Sequence, residues 1–279
     1  MKKLDINNLG AVFFDIDGTS VTTDGDVLPS TKEVVKILKS KKIPVCLASG
    51  RASFGAQKII DALDILDPCM FHSGGVILDP KSFDPFLTHE LSKEACEDLV
   101  SYCESKKLYL ELYSLTDYFS EIENELTDLH TEVLKKDPII KDLKRVIKEE
   151  KIIKGVIIST SDESYADVIS YRDDKSDSLY FGIAPGSRYT HIGFANITSK
   201  NASRESAFEW FNNHYNLTTK DSFAFGDAES DIPFFKRVTV GVCMENAKED
   251  IKHEASFITS SNDSDGIYKA FKHFYPEVF

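Results

Sequence analysis

The sequence has no apolar run long enough to span a bilayer, so no membrane-crossing helix is expected. Its start, MKKLDINNLG, carries two lysines with no apolar stretch behind them, and no secretory leader is expected. Positive charge is in short supply: 33 Lys and Arg stand against 46 Asp and Glu, a formal net charge of −13. That balance argues against nucleic acid or an anionic membrane as a partner and leaves room only for a local basic pocket. The five cysteines (Cys46, Cys69, Cys96, Cys103 and Cys243) are scattered, odd in number and without CxxC pairing. This speaks against a disulfide framework and points to free, mostly buried thiols in a reducing cytoplasm. The sequons at Asn196, Asn201, Asn216 and Asn262 then have no bearing on glycosylation. The seven histidines show no ligand spacing, so nothing suits zinc. No internal repeat or low-complexity tract is present.

What is there is an ordinary globular composition, 42% hydrophobic and 28% charged over 279 residues, enough for one large domain or two smaller ones. The first apolar stretch, AVFFDIDGTSV at 11–21, ends in Asp15 and Asp17. Alternation along a strand points both carboxylates to one side, and like charges so close call for a cation between them. Strand-like runs at 11–15, 44–48 and 69–72 alternate with a helix after Ser30 and another through 56–63. Ser30 and Glu33 have capping-box spacing. Strand–helix–strand order implies parallel pairing, with ligands at the carboxyl ends of the strands. Asp15, Ser49 and Ser73 lie at three such ends.

From about residue 82 to 189 the rhythm changes. Helical segments at 92–105, 128–135 and 161–172, the last opened by a Thr160/Glu163 box, mix with strand-like runs at 108–113, 154–159 and 179–183. This predicts an α+β insert, residues 82–189, dividing an α/β domain made of 1–81 and 190–279. After Asn196 the first rhythm returns, with a helix from Ser203 and strands at 222–225, 238–242 and 257–259. The aromatics of the insert (Tyr109, Tyr113, Tyr118, Phe119, Tyr180 and Phe181) suit either its core or a stack on a sugar or heterocycle.

A second acidic cluster, GDAESDIPFF at 226–235, again follows a strand and supplies Asp227, Glu229 and Asp231. Oxygen ligands from two loops at one sheet edge suit octahedral Mg²⁺. Gly18 and Thr19 offer backbone N–H groups and a hydroxyl in a tight turn, and Ser49–Gly50 offers another donor, a nest that suits phosphate oxygens. A plain glycine turn, with Ser49 capping the next helix, is the structural alternative. For Arg51 a surface ion pair stands beside a positioning role.

DIDGT, then ASGR, then a basic residue before a helix, then GDAESD, in this order, resemble the haloacid dehalogenase-like hydrolase superfamily. The insert resembles a type IIB cap, and the tail with Met244-Glu245-Asn246-Ala247, Ser261-Asn262 and Asp265-Gly266 resembles the Cof-like phosphatases. The resemblance spans nearly the whole chain. It implies a Rossmann-like parallel core with an α+β cap and Mg²⁺-dependent hydrolysis of a small phosphorylated metabolite. In those terms Asp15 is the nucleophile and Asp17 the general acid and base. The metal is held by Asp15, the Asp17 carbonyl, Asp227 and, through water or at second remove, Asp231. Gly18, Thr19, Ser49, Gly50 and Arg204 hold phosphate. The chain departs from the pattern at three places. Arg204 takes the slot of the usual Lys, with Lys200 as competitor; Ser230 replaces an Asn; and Ser73-Gly74 replaces Asn-Gly. The alternative these departures raise is a catalytically impaired relative that binds a phosphometabolite.

Overall fold

The computed structural model describes residues 4–185 and 192–279. The MKK start and the expected boundary between residues 189 and 190 lie outside them. The chain forms two compact units, one within Met1–Gly50, Gln57–Phe86 and Arg204–Phe279, the other within Arg51–Ala56 and Leu87–Ser203.

The first unit is built on a five-stranded sheet in the order Phe257–Ile258, Val240–Cys243, Asp221–Gly226, Leu9–Phe14, Val45–Leu47. Every neighbouring pair is parallel. LGAVFF, an inner strand with a parallel neighbour on each side, is buried at all six positions, as a strand covered on both faces must be. Alternation sends Phe13 to one face, against Phe208 and Phe211 of helix Arg204–Tyr215. Phe14 goes to the other, against Phe225, which meets Phe271 of helix Gly266–Phe274. Leu9–Phe14 runs parallel to its neighbours on both sides, so the carboxyl ends of Leu9–Phe14, Val45–Leu47 and Asp221–Gly226 share one edge.

Two local expectations are corrected here. Cys69–Phe71 does not extend the parallel sheet as a full strand. It touches it through one parallel bridge, Ala48 with Met70, and pairs antiparallel with Val76–Leu78. The helix after Ser30 begins at Pro29 and has no side-chain cap. Proline fixes the first turn and lacks the N–H a cap would satisfy. The Ser30 hydroxyl instead donates to Asp265 at 2.6 Å.

The second unit has a six-stranded, mostly antiparallel sheet in the order Leu179–Pro185, Gly193–Ser199, Lys154–Ser159, Tyr109–Tyr113, Tyr118–Ser120, Ile139–Ile140. Gly193–Ser199 pairs with both Leu179–Pro185 and Lys154–Ser159, and this unit includes Ser203. One face of the sheet packs Leu110, Leu112, Ile157 and Ile197 against Leu99, Val146 and Val168 of three helices. Helix Asp162–Lys175 is capped by Ser161 and Ser164, one residue along from the expected box. Tyr109, Tyr113, Tyr118 and Phe119 are core residues, whereas Tyr180 is exposed.

Candidate active site

Asp15 is the first residue after strand Leu9–Phe14, and its N–H donates to Phe225 O at 3.0 Å, so the neighbouring strand fixes its backbone. The turn that follows needs Gly18. Its φ is +70°, and a Cβ there would stand 2.3 Å from Asp227 Oδ2. Thr19 Oγ1 donates to Asp227 Oδ1 at 3.1 Å, tying this turn to the one after Gly226. Gly226 lets the Asp231 carboxylate tuck beneath the strand end, where a Cβ would meet its Cγ at 2.3 Å. Asp231 Oδ2 then accepts from the N–H groups of Asp227 and Ala228 at 3.0 and 2.9 Å.

Carboxylate oxygens of Asp15, Asp227 and Asp231 lie within 4.8 Å of one another. Arg204 opens its helix beside this strand end and is buried there. Its Nη2 donates to Asp15 Oδ1 at 3.1 Å, and its Nη1 donates to Asp231 Oδ1 at 2.5 Å and to Ala48 O at 3.0 Å. Lys200 belongs to the second unit, where its ammonium donates to Ser176 O at 2.5 Å. Ser49 is buried at the neighbouring strand end, and its backbone is held by Met70 O at 2.9 Å and by Ser73 N at 3.3 Å. Gly50 abuts Ser73, whose Oγ would lie 3.2 Å from an added Cβ.

The electrostatics follow from crowding three acids around one guanidinium. Burial, reinforced by Asp231, holds the Asp15 carboxyl well above the ordinary carboxylate range, and Arg204 pulls the other way. Burial, with Asp231 again adding to it, lifts Asp227 to about 7. Burial also raises Asp231, opposed first by Arg204 and then by the two amides. Three carboxylates with one guanidinium leave an uncompensated negative charge, and the donors are all oxygen. This set fits a hard divalent cation.

Asp17 is exposed at the start of the Gly18 turn, and its carboxylate is not part of the three-acid cluster. Ser230 and Glu229 are exposed. Arg51 falls in the second unit, where Nη1 donates to Gly55 O at 3.2 Å. One residue was not among the expected site residues. Asn246 Nδ2 donates to Gly18 O at 2.9 Å and stands 3.4 Å from Asp227 Oδ2, while its Oδ1 accepts from Asn262 N at 3.1 Å. The only sequence signal for it was its place in the MENA stretch of the tail.

The sequence pattern of haloacid dehalogenase-like hydrolases matches residues 12–271. The chain belongs to that family. A relative from Bacillus subtilis, the 5-amino-6-(5-phospho-D-ribitylamino)uracil phosphatase YwtE, is 24% identical over 280 residues, covering 92% of this chain and 94% of the relative. The crystal structure of TM0651 from Thermotoga maritima shares the fold with a TM-score of 0.83 at 19% identity, over 94% of this chain and 96% of that one. The structure of the HAD subclass IIB sugar phosphatase BT4131 shares it at 0.78 and 22% identity, over 96% and 99%. The fold is thus the family's α/β core with an inserted α+β cap.

Proposed function

We propose that this hydrolase is a Mg²⁺-dependent phosphatase acting on a small phosphorylated metabolite through an aspartyl-phosphate. The observation that carries the reading is the buried contact of Arg204 with Asp15 beside the Asp15–Asp227–Asp231 cluster. A named phosphatase among the relatives and a sugar phosphatase among the structures with the same fold support the substrate class, a sugar phosphate or phosphorylated cofactor.

In the first step an Asp15 carboxylate oxygen attacks phosphorus and the ester P–O bond breaks. Asp17, exposed two residues on, gives its proton to the departing alkoxide. In the second step Asp17 takes a proton from water, the water oxygen attacks phosphorus, and inorganic phosphate leaves with the Asp15 carboxylate restored. Asp15 and Asp227 carboxylates and the Asp17 carbonyl would hold Mg²⁺, whose charge offsets that of the phosphate and its transition state. Asp231 orients the site by fixing Arg204 and the amides of Asp227 and Ala228. Arg204, the Gly18–Thr19 turn and the Ser49–Gly50 strand end offer donors to the phosphate oxygens.

The five cysteines are buried and free, which supports the cytoplasmic setting. The test is a panel of phosphorylated sugars, cofactors and nucleotides assayed for phosphate release with Mg²⁺ and with EDTA. Release with Mg²⁺ alone is the expected result. Binding without release from any member would favour the phosphometabolite-binding alternative.

A further inference from the structure

We infer that a cavity within the second unit binds a small apolar molecule ending in a carboxylate, with Lys107 as its charge partner.

The cavity holds about 440 Å³ and lies where Tyr109–Tyr113 begins and where Tyr118–Ser120 and Lys154–Ser159 end. At about 30 Å³ of liquid per water, it has room for on the order of ten non-hydrogen atoms or more. Helix Lys93–Lys106 brings its last turn to it, and helices Glu125–Leu134 and Leu143–Glu149 bring their first. It is set apart from the segment that follows Ser49 and Gly50. That segment, Arg51–Ala56, packs at the opposite ends of two of the same strands. There Phe54 stacks on Tyr113 and Tyr118, and Ser53 Oγ donates to Leu115 O at 3.0 Å. Tyr109 is four strand residues from Tyr113, roughly 13 Å.

The interior of the cavity is apolar. Val100, Cys103, Leu110 and Leu143 line it on the side of the three-helix core, and Tyr109 and Ile158 on the other. At its rim Ile122 is 53% exposed, leaving apolar surface to water. A hydrocarbon body in the cavity would remove that surface from water.

Three of the lining residues are charged. Glu104 pairs with Lys144 at 2.6 Å, and Glu121 Oε1 accepts from Leu143 N at 3.1 Å. Two lining hydroxyls are also engaged: Ser120 Oγ donates to Ile122 O at 3.0 Å and Ser164 Oγ to Ser161 O at 2.9 Å. Lys107 is exposed, and among the described residues its ammonium has no ion pair. It stands at the C-cap of helix Lys93–Lys106 with a φ of +55°, a place where glycine is the ordinary residue. The uncommitted charge is thus one cation beside an apolar chamber. One cation matches a monoanion, and the chamber matches a hydrocarbon rather than a sugar, so the geometry selects an apolar carboxylic acid.

Isothermal titration calorimetry of the full chain in EDTA tests this with 4-phenylbutyrate, 4-phenylbutan-1-ol and acetate. The phenylbutyrate should bind, the alcohol several-fold more weakly, and acetate, lacking the apolar body, not measurably. Lys107→Met should bring the phenylbutyrate down to the affinity of the alcohol, a loss of about three- to tenfold, and Lys107→Arg should restore it. Leu126→Trp, which fills the cavity from a half-buried position, should weaken the acid and the alcohol alike by about tenfold or more. Asp15→Asn should bind like the parent chain. The inference is overturned if the phenylbutyrate does not bind, if the alcohol binds as tightly, if Lys107→Met binds the acid like the parent, or if Asp15→Asn loses binding. Should Leu126→Trp fail to fold, the exposed Lys107→Met decides.

Discussion

Arg204 Nη2 and Asp15 Oδ1 lie 3.1 Å apart in a buried pair at the end of strand Leu9–Phe14. The guanidinium is not free to swing, because Nη1 is fixed by Ala48 O and by Asp231. The basic residue is therefore preset beside the proposed nucleophile. A charge-assisted bond to a phosphate oxygen is worth roughly 1.5–3 kcal/mol, so Arg204→Ala should slow turnover about tenfold or more. Arg204→Lys should keep most activity while losing part of the three-way contact, and with it some stability. Lys200→Ala should leave turnover unchanged. Steady-state kinetics and thermal unfolding of the three variants check this; loss of activity in Lys200→Ala alone would reverse the assignment.

Asp17→Asn should separate substrates by leaving group. A sugar alkoxide needs the proton that Asp17 supplies, while nitrophenolate departs without it. The loss of kcat should be much larger for sugar phosphates than for p-nitrophenyl phosphate. Equal losses would remove Asp17 from the role of general acid.

Asp227 gives a pH dependence to the metal-free protein. Its carboxyl titrates near 7, above its ordinary value of 3.8, because burial and Asp231 disfavour the charge. A raised folded-state value contributes stability that is complete below the ordinary range and is lost as pH rises through about 7. In EDTA, the Tm of the parent chain relative to Asp227→Asn should therefore fall between about pH 4 and about pH 7. Mg²⁺ competes with protons for the same carboxylates, so its stabilising effect on the parent chain should be larger at pH 8 than at pH 5. A larger effect at pH 5 would contradict the charge assignment.

Asn246 ties the Gly18 turn to Asp227 from 228 residues away along the chain. Removing such an outer partner of a metal ligand costs roughly 10–100-fold in metal affinity or activity. Asn246→Ala should raise the Mg²⁺ concentration needed for half-maximal stabilisation in thermal unfolding, with kcat at saturating Mg²⁺ less affected. An unchanged Mg²⁺ midpoint would leave Asn246 a structural tie only.

Much of the site is legible in the sequence because buried parallel strands write themselves as apolar runs, and the polar residue that follows each run marks the edge. Asp15, Ser49 and Asp227 follow from that logic. Arg204 follows from helix phase, since Ala207 and Phe208 face the core from the same helix. The rest depends on groups that meet only after folding. Asn246 gives no local sign of where its amide goes. The cluster membership of Asp231 depends on Gly226 leaving space beneath the strand end. Gly193–Ser199 is half-buried and mixes polar with apolar residues, so its pairing with Lys154–Ser159 is not visible as a run. Helix Leu143–Glu149 hides in a lysine-rich stretch with three buried positions, Leu143, Val146 and Ile147.

The central claim, covalent catalysis by Asp15, is tested most directly by comparing the parent chain with Asp15→Asn in hydrolysis of p-nitrophenyl phosphate. The amide keeps the shape of the carboxylate but cannot form the aspartyl-phosphate. Turnover by the parent chain with Mg²⁺, none with EDTA and none by the folded Asp15→Asn variant is the predicted result. Turnover by Asp15→Asn at the parent rate would contradict the mechanism.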